Sequence, residues 1–150
     1  MALFSVSVIG ASSPDGQTLR LAYEVGRMVA KLPAVLICGG LGGVMESACK
    51  GAKEAGGRTV GIIPQVEKSF ANPYVDVVIS TGMGYARNVI VAYSGDVVVA
   101  LPGQYGTLSE IGFALSVGKR VFGLGTWEVP GVEMVKDLDE LENRIREVMK

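Results

Sequence analysis

The stretch Leu101-Pro102-Gly103-Gln104-Tyr105-Gly106-Thr107-Leu108-Ser109-Glu110 places a proline, two glycines, a hydroxyl and a carboxylate directly after an apolar run. Glycines let backbone N–H groups come close to an anion, and the start of a helix adds partial positive charge. A carboxylate one turn further on could stabilise positive charge developing on a ribosyl ring. The same residues also read as a capping box, Thr107-x-x-Glu110, in which hydroxyl and carboxylate satisfy the first helical amides. Two other segments share this grammar: Gly10-Ala11-Ser12-Ser13-Pro14 and Gly39-Gly40-Leu41-Gly42-Gly43 each follow an apolar run and precede a helical pattern. Ser12 or Ser13 reads either as a ligand contact or as an N-cap ahead of Pro14. The Gly39–Gly43 segment is neither Gly-x-Gly-x-x-Gly nor a Walker loop, since Lys50 lies too far on, and alone it also reads as a tight turn.

Other chemistries are excluded by composition. The 150 residues contain no histidine, which removes Ser-His-Asp and Cys-His nucleophiles and every zinc site that uses imidazole. No metal site is expected. Pyridoxal phosphate chemistry needs a Schiff-base lysine, and none of Lys31, Lys50, Lys53, Lys68, Lys119, Lys136 and Lys150 falls in a loop with the glycine-rich grammar. With 14 Lys and Arg against 15 Asp and Glu, the net charge of −1 leaves no electrostatic footprint for nucleic acid. Uncharged stretches fall short of the ~18 residues a spanning helix needs, so no membrane partner is expected. Residues 1–10 lack a basic flank and read as a first strand rather than a leader. Cys38 and Cys49 read as buried thiols of a cytoplasmic protein, although spacing alone leaves a disulfide open.

The elements that must position these loops follow from periodicity. Residues 4–9, 34–38, 59–63, 75–79, 97–101 and 121–124 are strand candidates, and the 97–101 run is apolar at every position, as a sheet covered on both faces demands. Between them, residues 19–30, 44–55, 84–93, 107–117 and 137–149 carry helical spacing, with Gly56-Gly57 ending the second. Residues 127–135 read as irregular or as a short edge strand broken by Pro130. Strands alternating with helices specify one α/β domain, a Rossmann-like doubly wound and mainly parallel sheet with helices on both faces. Ligands of such sheets sit outside the carboxyl ends of the strands. The three glycine-rich loops are therefore expected to converge on one rim, as a cradle for a nucleotide-type phosphate ester.

Pro102-Gly103-Gln104-Tyr105-Gly106-Thr107-Leu108-Ser109-Glu110 resembles the Pro-Gly-Gly-x-Gly-Thr-x-x-Glu signature of the LOG-like family, also called lysine-decarboxylase-like or SLOG. Gly39-Gly40-Leu41-Gly42-Gly43-Val44-Met45 is similar to that family's Gly-Gly-x-x-Gly-x-Met element, and Arg87 precedes the 97–101 strand as the family's arginine does. The resemblance spans residues 4–125. It implies a Rossmann-like fold, commonly a dimer, and for some members hydrolysis of the N-glycosidic bond of a nucleoside 5′-monophosphate without a cofactor. A short branch of molybdenum-cofactor carriers implies the alternative, a carrier or sensor holding a pterin phosphate without turnover. Carried over by position, Glu110 and Arg87 would be catalytic. Gly10, Ser12, Ser13, Gly39, Gly40, Gly43, Met45, Asn88, Pro102, Gly103, Gly106 and Thr107 would hold the small phosphorylated ligand. Two positions depart from the hydrolase pattern: Gln104 replaces the second glycine, and Asn88 follows Arg87 where hydrolases have lysine. The Arg87-Asn88 pair and the short length resemble the carrier branch. Glu46 reads either as a second carboxylate near the sugar or as a first-turn acid of its helix.

Overall fold

Short β-branched runs closed by turn residues form strands, and the amphipathic stretches between them form helices that cover both sheet faces. The computed structural model describes residues 2–150. In chain order it contains β1 (Ser5–Ile9), α1 (Gly16–Lys31), β2 (Val35–Cys38), α2 (Val44–Glu54), β3 (Arg58–Ile63) and β4 (Val77–Ser80). These are followed by α3 (Arg87–Ser94), β5 (Val97–Ala100), α4 (Tyr105–Ser116), β6 (Arg120–Gly123), β7 (Glu133–Met134) and α5 (Leu138–Met149). Single 3-10 turns occur at Lys68–Phe70 and Gly84–Ala86, the second forming the start of the helix expected from residue 84.

All seven strands pair in parallel, in the order β4-β3-β2-β1-β5-β6-β7. The chain steps outward from β1 to β4, then returns to place β5 on the other side of β1. This reversal makes the β1/β5 junction the switch point, where outgoing loops diverge to opposite faces and leave a crevice. Alternation along the strands divides the core. Val6, Val8, Leu36, Val97, Val99 and Phe122 face α1, α2 and α5. Ile9, Ile37, Ile62, Val98, Ala100 and Val121 face α3 and α4.

β4 begins two residues later than the apolar run suggests. Asn72 Oδ1 accepts from the amide of Tyr74, fixing a turn after Pro73, and Asp76 is engaged by the backbone and side chain of Thr59. Pairing with β3 starts only at Val77. The edge strand expected within residues 127–135 is β7, limited to two residues. No described helix is long and apolar enough to cross a membrane.

The α1–α2 pair is the tightest joint in the fold, because glycines replace side chains at the crossing. A Cβ on Gly26 would lie 1.9 Å from the carbonyl oxygen of Ala48, and one on Gly51 would lie 2.0 Å from that of Tyr23. Neither backbone can yield as a flexible side chain would. Gly26→Ala should therefore lower stability by ~3 kcal/mol, the upper end for core overpacking, read as a shift of the urea midpoint. Gly16→Ala, where an added Cβ meets nothing within 4 Å at the first helical position, should change it by ~0.5 kcal/mol at most and in the stabilising direction.

Candidate functional site

The three loops meet. The Ala11 amide donates to the carbonyl of Pro102 at 2.9 Å, and the Ala11 carbonyl accepts from the amide of Val44 at 2.9 Å. One residue after β1 thus holds the loop after β5 on one side and the start of α2 on the other. Between them opens a cavity of about 390 Å³, within the usual range for small-molecule sites. Of the residues expected at the site, Gly10, Ser12, Ser13, Gly39, Met45, Arg87, Asn88, Gly106, Thr107 and Glu110 line it.

Gly40, Gly43, Pro102 and Gly103 are not on the cavity wall; they shape the loops behind it. Gly40, at φ +77, lies against β3, where a Cβ would meet Ile63 at 2.5 Å. Gly43, at φ +67, precedes α2, and a Cβ there would lie 2.4 Å from the carbonyl oxygens of both Ala11 and Ser12. A Cβ on Gly103 would fall 2.0 Å from Thr107 Oγ1. Pro102 contributes its carbonyl to Ala11.

α4 starts at Tyr105, two residues before the sequence pattern places it, so the capping box does not form. Gln104 occupies the N-cap with no side-chain bond, Thr107 is the third helical residue, and Glu110 lies a full turn inside. The first intrahelical bond runs from the Leu108 amide to the Gln104 carbonyl, which leaves the amides of Tyr105, Gly106 and Thr107 without helical partners. α2 likewise has no side-chain cap. By contrast, Asp15 caps α1 and Asp137 caps α5. The N-cap expected of Ser12 or Ser13 therefore belongs to Asp15, and the two serines remain at the cavity. Gln104 fits at the position where the resembled signature has glycine because its φ of −101° is ordinary for any residue; its carbonyl also accepts from the Trp127 indole.

Arg87 is buried, not an exposed helix arginine. Its Nε donates to the Ile62 carbonyl at 3.0 Å, its Nη2 to the Gly39 carbonyl at 3.3 Å, and its Nη1 to Asn88 Oδ1. A Cβ on Gly39 would lie 2.6 Å from Met45 Sδ and 2.7 Å from Nη2, so a side chain there would displace both. Burial draws the guanidinium's affinity for its proton down, with the Glu110 charge opposing.

Glu110 is also buried, and desolvation pushes its carboxyl up to about 8, with Arg87 the only opposing influence. It is an acid held protonated at neutral pH. Glu46 lies in the first turn of α2 and lines an adjoining hollow with Ser12, Ser13 and Lys50, not the main cavity. No lysine lines the main cavity, so nothing there could anchor pyridoxal phosphate. Among the described residues, no group of three or more His, Cys, Asp or Glu is placed to hold a metal ion. Cys38 and Cys49 are free thiols with sulfurs 3.4 Å apart, buried behind the Gly39-Gly40 turn. Tyr85, Leu41 and Gln104 also line the cavity, and the sequence does not single them out as ligand contacts: Tyr85 lies outside the three glycine-rich loops, Leu41 is an apolar residue between glycines, and Gln104 reads only as a departure from the glycine pattern.

Comparison with known proteins places this arrangement among relatives. The sequence profile of the SLOG cluster4 family matches residues 3–149. A cytokinin riboside 5′-monophosphate phosphoribohydrolase of Mycobacterium tuberculosis is 36% identical over 132 residues, covering 85% of this chain and 68% of that protein. An uncharacterized protein of Archaeoglobus fulgidus is 50% identical over 124 residues, 83% of this chain and 82% of that one. The molybdenum cofactor binding protein of Rippkaea orientalis superposes with a TM-score of 0.94 at 32% identity, covering 100% of this chain and 99% of the other. The molybdenum cofactor carrier protein of Chlamydomonas reinhardtii gives 0.91 at 32% identity over 99% of each chain.

The buried carboxyl has a consequence for stability. The folded protein holds the Glu110 proton up to about pH 8, whereas the unfolded chain releases it near the ordinary 4.5. Native protein thus binds more protons across that window, and stability falls as pH rises through it, by at most ~1.4 kcal/mol per pH unit. Glu110→Gln should flatten this decline: variant and wild type melt alike near pH 4.5, and the variant melts higher at pH 8.5, as followed by circular dichroism.

Proposed function

The chain belongs to the SLOG cluster4 family, and from that membership and the cavity we propose that it binds a nucleotide-type phosphate ester at the carboxyl edge of the sheet. The observation that carries this reading is the uncapped first turn of α4, opening into the same cavity as the buried Glu110. Amides that a cap would otherwise satisfy are free to receive phosphate oxygens, supported by the helix dipole. Gly106, Thr107, Ser12 and Ser13 form the phosphate end. Gly40, Gly43, Pro102 and Gly103 act through loop shape.

Glu110 then faces the sugar. In hydrolysis of an N-glycosidic bond, its carboxyl proton passes to the departing base as the C–N bond breaks and the bonding electron pair leaves with the base. The carboxylate so formed stabilises the ribosyl cation. Water adds to the ribosyl carbon and returns a proton to Glu110, leaving free base and ribose 5-phosphate. Arg87 sets the charge of the pocket; fixed by the Ile62 and Gly39 carbonyls, its guanidinium holds Asn88 through Oδ1 and lies 4.0 Å from Met45 Sδ.

A second reading is carriage without turnover of a phosphorylated cofactor of the pterin type. It draws on Arg87, whose three guanidinium nitrogens are already occupied by Ile62, Gly39 and Asn88, and on the near-complete superposition with molybdenum cofactor carriers. Incubation with AMP and N6-modified AMP, followed by chromatography for free base, separates the two. For an enzyme, base is released, Glu110→Gln slows release by ~10²-fold or more, and the rate falls as pH passes about 8. For a carrier, a phosphorylated ligand binds tightly and no base appears.

We also propose a homodimer. Val77 and Ile79 on β4 share the sheet face that carries α3 and α4, and both are exposed, as are Tyr93 on α3, Phe113 on α4 and Val117 just past the end of α4. A second copy would cover this apolar layer. Native mass spectrometry should show twice the 15.7 kDa chain mass, reduced to the single-chain mass by Ile79→Glu or Val117→Glu.

A further inference from the structure

Tyr85 is the most exposed large apolar side chain among the described residues, at 89%, and yet it lines the cavity. Exposed aromatic rings at the mouth of a polar cleft find a use when a planar group seats on them.

The turn presenting Tyr85 is built, not loose. Thr81 Oγ1 donates to the Ile63 carbonyl at 2.8 Å and accepts from the Met83 amide at 3.1 Å. The amides of Gly82 and Gly84 donate to the carbonyls of Gln65 and Pro64, both at 3.1 Å. Gly82 and Gly84 take φ values of +62° and +58°, a conformation that other residues adopt only with strain. Three of these hydrogen bonds hold the segment against the end of β3 and the two residues after it, the Met83–Thr81 bond closes the turn on itself, and Tyr85 leads directly into Arg87 and Asn88 on the cavity wall. The Ser12 and Ser13 hydroxyls and the free amides of the first turn of α4 line the same cavity, on the loops after β1 and β5.

We infer that Tyr85 is the stacking platform for the planar heterocycle of the ligand, while the α4 side holds its phosphate. This rests on the proposed binding of a nucleotide-type phosphate ester and adds the element that recognises the ring. Base-on-aromatic stacking tolerates the identity of the ring, so the platform suits a purine or a pterin equally and favours ligands with a ring over bare sugar phosphates.

Titration calorimetry of wild type, Tyr85→Ala and Tyr85→Phe with AMP, GMP and ribose 5-phosphate tests this. Tyr85→Ala is expected to weaken AMP and GMP by roughly ten-fold or more and leave ribose 5-phosphate unchanged, with Tyr85→Phe close to wild type. Equal weakening of all three, or of none, overturns the stacking role while leaving phosphate binding intact. If wild-type protein binds none of the three, the underlying reading falls and this inference with it. Native mass spectrometry of Tyr85→Ala supplies the control: a changed subunit count makes Tyr85 a contact between copies and overturns the assignment.

Discussion

The backbone of Ala11 is the constraint from which the site follows. Its amide is bonded to the loop after β5 and its carbonyl to the start of α2, so three segments far apart in sequence are fixed to one another at the switch point of the sheet. Each bond adds only ~1 kcal/mol to stability. Their geometric effect is larger, because they require glycine where side chains would intrude: at Gly43 against the Ala11 and Ser12 carbonyls, and at Gly103 against Thr107. The 21 glycines of the chain are in part the price of bringing backbones this close.

That closeness sets the electrostatics. Loops drawn over the strand ends keep water away from Glu110 and Arg87, and both respond by moving toward neutrality. For Arg87 the loss of hydration is offset by two backbone carbonyls and Asn88. Glu110 has no such compensation and holds its proton instead, as a buried carboxyl does. Sequence reasoning cast Glu110 as an anion beside a cation; burial makes the resting group an acid. A helix left uncapped beside a protonated acid is unfavourable locally in the absence of ligand, and it is the departure from local rules expected where function overrides stability.

The fold was legible because its signals are strong and local. An apolar run such as residues 97–101 has no other stable place than the middle of a covered sheet, and Gly56-Gly57 stops α2 where chain-end chemistry says it should. The site was legible as a set of loops but not as a division of labour. Glycines that touch ligand space and glycines that touch other backbone look identical in sequence, so Gly40 and Gly103 could not be told from Gly10 and Gly106. The capping box failed because Thr107-x-x-Glu110 satisfies a local rule, while the helix start was set two residues earlier by packing at the β5 exit. Tyr85 carries no local signal, because its place at the cavity depends on a turn held against the end of β3, a tertiary matter.

Enzyme and carrier need the same phosphate end, and the physical difference between them is confined to the far side of the cavity. Turnover requires the Glu110 proton to reach the nitrogen of the glycosidic bond; storage requires only that the ligand stay bound and that water be kept from its reactive carbon. Asn88 Oδ1 receives Arg87 Nη1, whereas a lysine at that position could neither accept this bond nor leave the local charge unchanged. Asn88 therefore fixes the guanidinium and withholds a second mobile cation from the bound ligand. An added cation beside Glu110 would favour its ionised form and weaken it as a proton donor. In the hydrolase reading the arginine–asparagine pair would leave the acid able to donate, so the asparagine by itself does not argue against catalysis; what would decide is whether a ring seated at the mouth brings its glycosidic nitrogen within reach of that proton.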